Sequence, residues 1–333
     1  MKKFILKTGF FALLAAAFLV CFDSIISVQL RNKAGVLRNS VWKDLFSGQL
    51  RSEIVIMGSS RAWTQYSPVI LDSILHTDSY NLGIDGRSIN SQILRYNTYK
   101  RLNVTPKIII QNIDMMTLDK DNAYNREQFF PYFYDRLFRQ EVCELEQLSF
   151  ADKHIPGFRY AGYFHKLLSW MGVLKPENYT LTKGYYGFDI PWDSSNFEKI
   201  TELIYAQDSQ AISAFDAYLS KARAENIQVV FVYAPVYIGA TEKIKNVEGM
   251  YHMYDRIAQK YAIPILDFNY DPMSYDTTYF YNATHLNRVG AELFSIKLAH
   301  ALDSLGIFAS HKETSKNTKI KACDRGKSAV YLK

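Results

Sequence analysis

At 333 residues the chain has room for one large or two modest domains. A hydrophobic fraction of 48% with 22% charged residues is that of a globular protein and excludes a disordered or fibrous one. The formal net charge of +6 sits at the ends: Lys2, Lys3 and Lys7 come first, and seven Lys/Arg against two acids lie beyond residue 310. The body is left at about −2, which excludes a nucleic-acid footprint there. Cys21, Cys143 and Cys323 are too dispersed for a disulfide framework. No His/Cys/Asp/Glu spacing suggests a metal, and no cofactor is implied.

The first element is a targeting segment. Three lysines precede an uncharged run over residues 9–22 (GFFALLAAAFLVCF) that stops at Asp23. Phe4, Ile5, Leu6, Ile25 and Ile26 extend it if Lys7 snorkels. Ala15-Ala16-Ala17 lies inside the run rather than after it, so an uncleaved single-pass anchor is favoured over a cleaved signal. The lysines then stay cytoplasmic and the body faces the periplasm or exterior. This segment is predicted over residues 1–28. Residues 29–51 read as a juxtamembrane connector with a short helix around Trp42 and Leu45.

An α/β pattern follows. Glu53 to Met57 is an apolar strand that runs into Gly58-Ser59-Ser60-Arg61, after which Ser67, Pro68 and spaced apolar residues predict a cap and a helix. A second strand spans residues 78–84 and ends in Asp85-Gly86-Arg87-Ser88. A helix over 88–102 leads through Pro106 into a third strand, 107–111, which ends at Asn112-Ile113-Asp114. Three strands, each with a polar or glycine-bearing loop at its carboxyl end, outline an open parallel α/β sheet.

Residues 115–206 interrupt this pattern with an aromatic-rich insertion, too long for a plain loop. Helices are predicted within it over 136–147 and 163–171. Its aromatics (Phe129, Phe130, Tyr132, Phe133 and Tyr134, then Tyr160, Tyr185, Tyr186 and Phe188) read either as a local core or as the wall of a pocket that stacks on sugar rings. Alternation then resumes: a helix over 209–225, a strand over 228–233, a helix over 241–261, a strand over 265–268, a loop containing Asn282-Ala283-Thr284-His285, and a final helix over 288–305. The α/β domain is thus expected over 52–114 and 207–308. The basic tail, 309–333, has no apolar periodicity and is expected to be disordered.

Ser60, Gly86, Asn112 and His285 all fall in loops that such a sheet gathers into one crevice. In four blocks, Gly58-Ser59-Ser60, Asn81 to Ser88, Gln111-Asn112-Ile113-Asp114 and Asn282-Ala283-Thr284-His285, the chain resembles the SGNH/GDSL hydrolases, among them membrane-anchored envelope members linked to polysaccharide O-acylation. The resemblance implies a three-layer flavodoxin-like fold with a central parallel sheet of about five strands. It implies Ser60 as nucleophile, His285 as base, and Ser60, Gly86 and Asn112 as oxyanion donors. The chain departs from the pattern in three places. Ser59 replaces the aspartate of the first block, Asp114 competes with Asn112 for the third, and Asn282 stands where a triad acid is expected. An asparagine orients the imidazole but supplies no charge, so Asp276 is an alternative acid. Arg61 and unspecified aromatics of the insertion are candidate substrate contacts.

The expected activity is that of a serine esterase or acyltransferase on O-acyl groups, O-acetyl above all, of a cell-surface polysaccharide. A membrane-bound O-acyltransferase is the expected partner. The alternative is a non-catalytic glycan-binding or assembly component that keeps the fold.

Overall fold

The computed structural model describes residues 1–32, 39–120, 124–163, 179–199, 202–205 and 207–307. Five parallel strands make the central sheet: β1 (Ile54–Met57), β2 (Ser79–Asn81), β3 (Ile108–Asn112), β4 (Gln228–Tyr233) and β5 (Ile265–Asp267). Their spatial order is β2-β1-β3-β4-β5. The chain begins inside the sheet, steps out to β2 and crosses back to β3. Connections from β1 and β3 therefore leave in opposite directions and open a crevice at their carboxyl ends.

The strands read as continuous apolar runs because helices cover both faces. Alternate residues Ile54, Ile56, Ile108, Ile110, Val230 and Val232 share one cluster with α4 (Pro68–Leu75) and the last helix, α10 (Arg288–Ser304). Their neighbours Val55, Met57, Ile109 and Phe231 belong to the opposite layer. That layer contains α5 (Ile89–Leu102), α8 (Ser209–Ala224) and α9 (Val247–Tyr261). Helix α9 starts later than its periodicity predicts, after a short helical turn at Ile238–Thr241. The structure is thus a three-layer α/β fold of flavodoxin-like strand order.

Two regions read as peripheral from sequence are built into this core. In the stretch predicted as a connector, α2 (Asn39–Ser47) buries Val41, Trp42 and Leu45, with Trp42 fully inaccessible. The Trp42 ring packs on Phe129 and Phe138, and its indole N–H donates to Gln128 Oε1 at 3.0 Å. The first half of the insertion meets it there. Phe129, Phe130, Tyr132 and Phe138, the last on α6 (Arg136–Leu145), all lie in the same hydrophobic cluster as the sheet. Such a contact surface explains the aromatic bias of residues 129–138 as packing rather than as a sugar platform.

The N-terminal helix α1 spans Lys2–Asn32, past the predicted end of the anchor. Its last turns, with Ile26 and Leu30, bury against the body. The helix expected over 163–171 and the basic tail lie outside the described residues.

Candidate active site

The site starts from a turn that only glycine permits. Gly58 takes φ +151, and a Cβ there would stand 2.6 Å from the Ala62 Cβ and 2.8 Å from the Asn112 Cβ. Strand β1 therefore turns tightly into α3 (Ser60–Gln65). Ser59 caps that helix, accepting from the Arg61 N–H at 3.4 Å, while its own hydroxyl donates to Asp114 Oδ2 at 2.8 Å. Ser60, the first helical residue, is left at the carboxyl edge of the sheet.

His285 reaches that edge from the far end of the chain. Phe280–Asn282 and His285–Leu286 form a small antiparallel hairpin in which Asn282 lies directly opposite His285. His285 Nε2 is 2.8 Å from Ser60 Oγ, and His285 Nδ1 is 3.0 Å from Asn282 Oδ1. Proton positions follow from the neighbours. Asn282 Oδ1 accepts the Thr284 N–H at 3.0 Å, so the amide presents its oxygen to the ring. Nδ1 must then carry the proton and Nε2 the lone pair, which makes Ser60 the donor to His285.

Burial of the ring and the Arg61 guanidinium push the His285 pKa down to about 3. At neutral pH the imidazole is unprotonated, the form a general base needs. Tyr281 stacks on it, with ring centroids 5.4 Å apart and planes inclined by 20°.

The other loops close around Ser60. Past β2, the Leu82 N–H donates to the Ile56 carbonyl at 2.8 Å and the Ile84 N–H to the Gly58 carbonyl at 3.0 Å. These bonds run the Asp85-Gly86 turn alongside Ser59-Ser60. Gly86 takes φ +67, and the Tyr124 ring fills the space that a Cβ would need. On the other side Asn112 ends β3. Its Oδ1 accepts the Tyr66 hydroxyl at 2.8 Å, and its Nδ2 donates to Asp114 Oδ2 at 2.8 Å. Burial holds the Tyr66 phenol well above its usual pKa, so it remains a donor.

The predicted residues thus divide. Ser60, His285 and Asn282 form one hydrogen-bonded line, with Gly86 and Asn112 flanking it. Asp114 lies beneath the turn, buried; its Oδ1 accepts the Met116 N–H at 2.9 Å and the Thr117 hydroxyl at 3.1 Å. It braces Ser59 and Asn112 rather than His285. Asp276 does not serve as the acid either: it is exposed and caps the Thr278 N–H at 2.9 Å, and those bonds hold its carboxyl below the usual range.

Arg61 is half-buried; one Nη donates to the Ala234 carbonyl, and its Nε is buried without a partner. Of the insertion's aromatics, Tyr124 reaches the site at Gly86, and others reach it from the hairpin of residues 179–188. Tyr186 stacks on Trp63 at 4.7 Å, and Phe188 lies 4.8 Å from Tyr281. Sequence reasoning missed Tyr66, Tyr281 and Thr284. Tyr281 and Thr284 flank His285 in the chain, so proximity alone was their signal, whereas Tyr66 needed the α3 geometry.

No family model and no curated protein sequence matches the chain. It is similar to several solved structures. One is a protein assigned to the G-D-S-L lipolytic family from Desulfitobacterium hafniense DCB-2, 11% identical over 75% of this chain and 99% of that one, with a TM-score of 0.39. Another is an acetyl xylan esterase, 12% identical over 74% and 98% of the two chains, with a TM-score of 0.39. A third is a protein assigned as an acylhydrolase from Bacteroides fragilis NCTC 9343, 12% identical over 79% and 97%, with a TM-score of 0.37.

Proposed function

We propose that this protein is an SGNH-type serine esterase or acyltransferase that acts on O-acyl, chiefly O-acetyl, groups of a cell-surface polysaccharide, with α1 as its membrane anchor. The observation that carries the reading is the 2.8 Å contact between Ser60 Oγ and a His285 Nε2 whose tautomer is set from behind by Asn282. His285 takes the Ser60 proton as Oγ attacks the ester carbonyl. The oxyanion draws on the Ser60 and Gly86 N–H groups and the Asn112 amide. The ester C–O bond then breaks and His285 returns the proton to the leaving alkoxide. Water, or a second hydroxyl in transfer, attacks the acyl-serine with His285 again as base. In this reading Arg61 holds an oxygen-rich or anionic substrate group. Transfer would place the protein beside a membrane-bound O-acyltransferase.

A second reading has support from one observation, the amide at the acid position: a glycan-binding component without turnover. A fluorophosphonate serine probe, read by intact mass, separates the two. The enzyme reading expects a single adduct that is lost in Ser60→Ala. A folded wild type that forms no adduct moves the assignment to the binding component.

A further inference from the structure

We propose that residues 149–160 form a collar that seats in the boundary between lipid headgroups and acyl chains around α1, holding the body against the bilayer at a fixed height. The proposal rests on α1 being a retained membrane anchor. From Phe4 to Phe22 a helix rises about 28 Å, close to the ~30 Å hydrocarbon core of a bilayer. The exported boundary then falls between Phe22 and Asp23, the first acidic residue of the helix.

The body grips α1 at that level. Asp23 accepts the Gly157 N–H at 2.7 Å and pairs with Arg159 at 2.5 Å, and the Ser27 and Tyr160 hydroxyls bond at 2.8 Å. The Phe22 ring lies 3.3 Å from where a Gly157 Cβ would sit, so the collar touches the last residue of the apolar run. A helix fixed by these bonds cannot act as a loose tether. Its height in the membrane sets the height of the collar.

The outward face of the collar suits that depth. Phe150, which packs on the His154 ring, is 75% exposed, Phe158 45% and Ile155 42%, three large apolar side chains open to solvent among the described residues. The same stretch carries Lys153, whose carbonyl accepts from Arg139, along with Asp152, which accepts from the Ser149 hydroxyl; aromatic side chains with basic ones beside them favour an anionic lipid interface. Between α1 and the collar lies a crevice of about 290 Å³, lined by Val20, Val28 and Pro156 and by the polar Asp23, Ser27 and Arg159. The Arg159 Nε is buried without a partner.

The test uses the full chain in nanodiscs containing anionic phospholipid, with Cys21, Cys143 and Cys323 changed to serine. Nitroxides are placed singly at Phe150→Cys, Ile155→Cys, Phe158→Cys, Phe10→Cys and the exposed Tyr270→Cys. Each label's collision with oxygen, which favours lipid, is compared with its collision with an aqueous nickel chelate. The collar labels are expected to show an oxygen-to-nickel ratio at least threefold above that of the Tyr270 label, with Phe10 higher still. Collar labels equal to Tyr270 while Phe10 reads as lipid would overturn the collar and leave the anchor standing. Phe10 in water would remove the anchor and the collar with it.

Discussion

Two Asx groups support the Ser60–His285 pair, and they are of opposite kinds. Beneath the Ser60 turn is a carboxylate, Asp114, buried and bonded to Ser59, Asn112, Met116 and Thr117. Behind the base is a neutral amide, Asn282, bonded to His285 and Thr284. A serine triad puts its charge behind the histidine. Here the charge braces the loops and the base receives orientation only. Ser59 fits the same exchange, because its hydroxyl donates to the Asp114 carboxylate, two residues past the end of β3. The difference teaches that geometry and charge, which one triad acid supplies together, are divided between two residues in this site.

The comparison breaks most severely at Asp114. Asp114→Ala leaves several buried donors without an acceptor, at roughly 1–3 kcal/mol each, so a loss on the order of 4 kcal/mol is expected. For a chain of this size that lowers the thermal midpoint by roughly 6 °C, readable by calorimetry. Probe labelling should fall with it, since the bonds broken are those that shape the Ser60 turn. An unchanged midpoint would mean that Asp114 is not the brace.

Asn282→Asp sharpens the comparison by returning charge to the base. The reverse change in a serine protease costs ~10⁴ in kcat. Because Arg61 already opposes imidazolium here, a gain of about 10²-fold in Ser60 labelling rate is the expectation. The pH profile gives an independent reading. With the His285 pKa at about 3, wild-type labelling should persist well below the ~6.5 at which an ordinary histidine protonates. The aspartate variant should pull that acid limb upward toward neutrality. Stability follows the same sign. The folded pKa lies below the unfolded one, so the neutral ring contributes stability above pH ~6.5 that is lost as pH falls toward 3. In His285→Asn the difference between urea midpoints at pH 7 and pH 4 should shrink. An acid limb near pH 6.5 in the wild type would show a base that is not shielded as its surroundings imply.

How much of this was legible in sequence depends on whether local pattern or distant packing decides each feature. The strands were legible because residues such as Ile108, Ile109 and Ile110 face helices on both sides and form uninterrupted apolar runs. The Ser60, Gly86, Asn112 and His285 loops were legible because each follows an element whose direction the pattern fixes. Phe129 to Phe133 were not, since an aromatic run reads the same in a core and in a sugar-binding wall; the partner that decides is Trp42, far earlier in the chain. Nor could spacing choose between Asn282 and Asp276 behind His285. That choice lies in the hairpin register, which sets Asn282 opposite His285 and leaves Asp276 to cap a turn.

The smallest effect is expected where orientation alone is at stake. Tyr281 covers one face of the His285 ring and is itself touched by Phe188 of the hairpin. Asn282 holds the imidazole at one edge, and Tyr281 keeps it from swinging out of that plane. An aromatic contact of this kind contributes about 0.5–1.5 kcal/mol, so Tyr281→Leu should slow Ser60 labelling by roughly two- to tenfold. The thermal midpoint should move little, and Tyr281→Phe should restore the rate because only the ring face is used. If Tyr281→Phe lost as much as Tyr281→Leu, the hydroxyl would be the working group. Tyr281 would then join Asn282 and Thr284 as a polar restraint on His285, and the division of labour with Asp114 would have to include it.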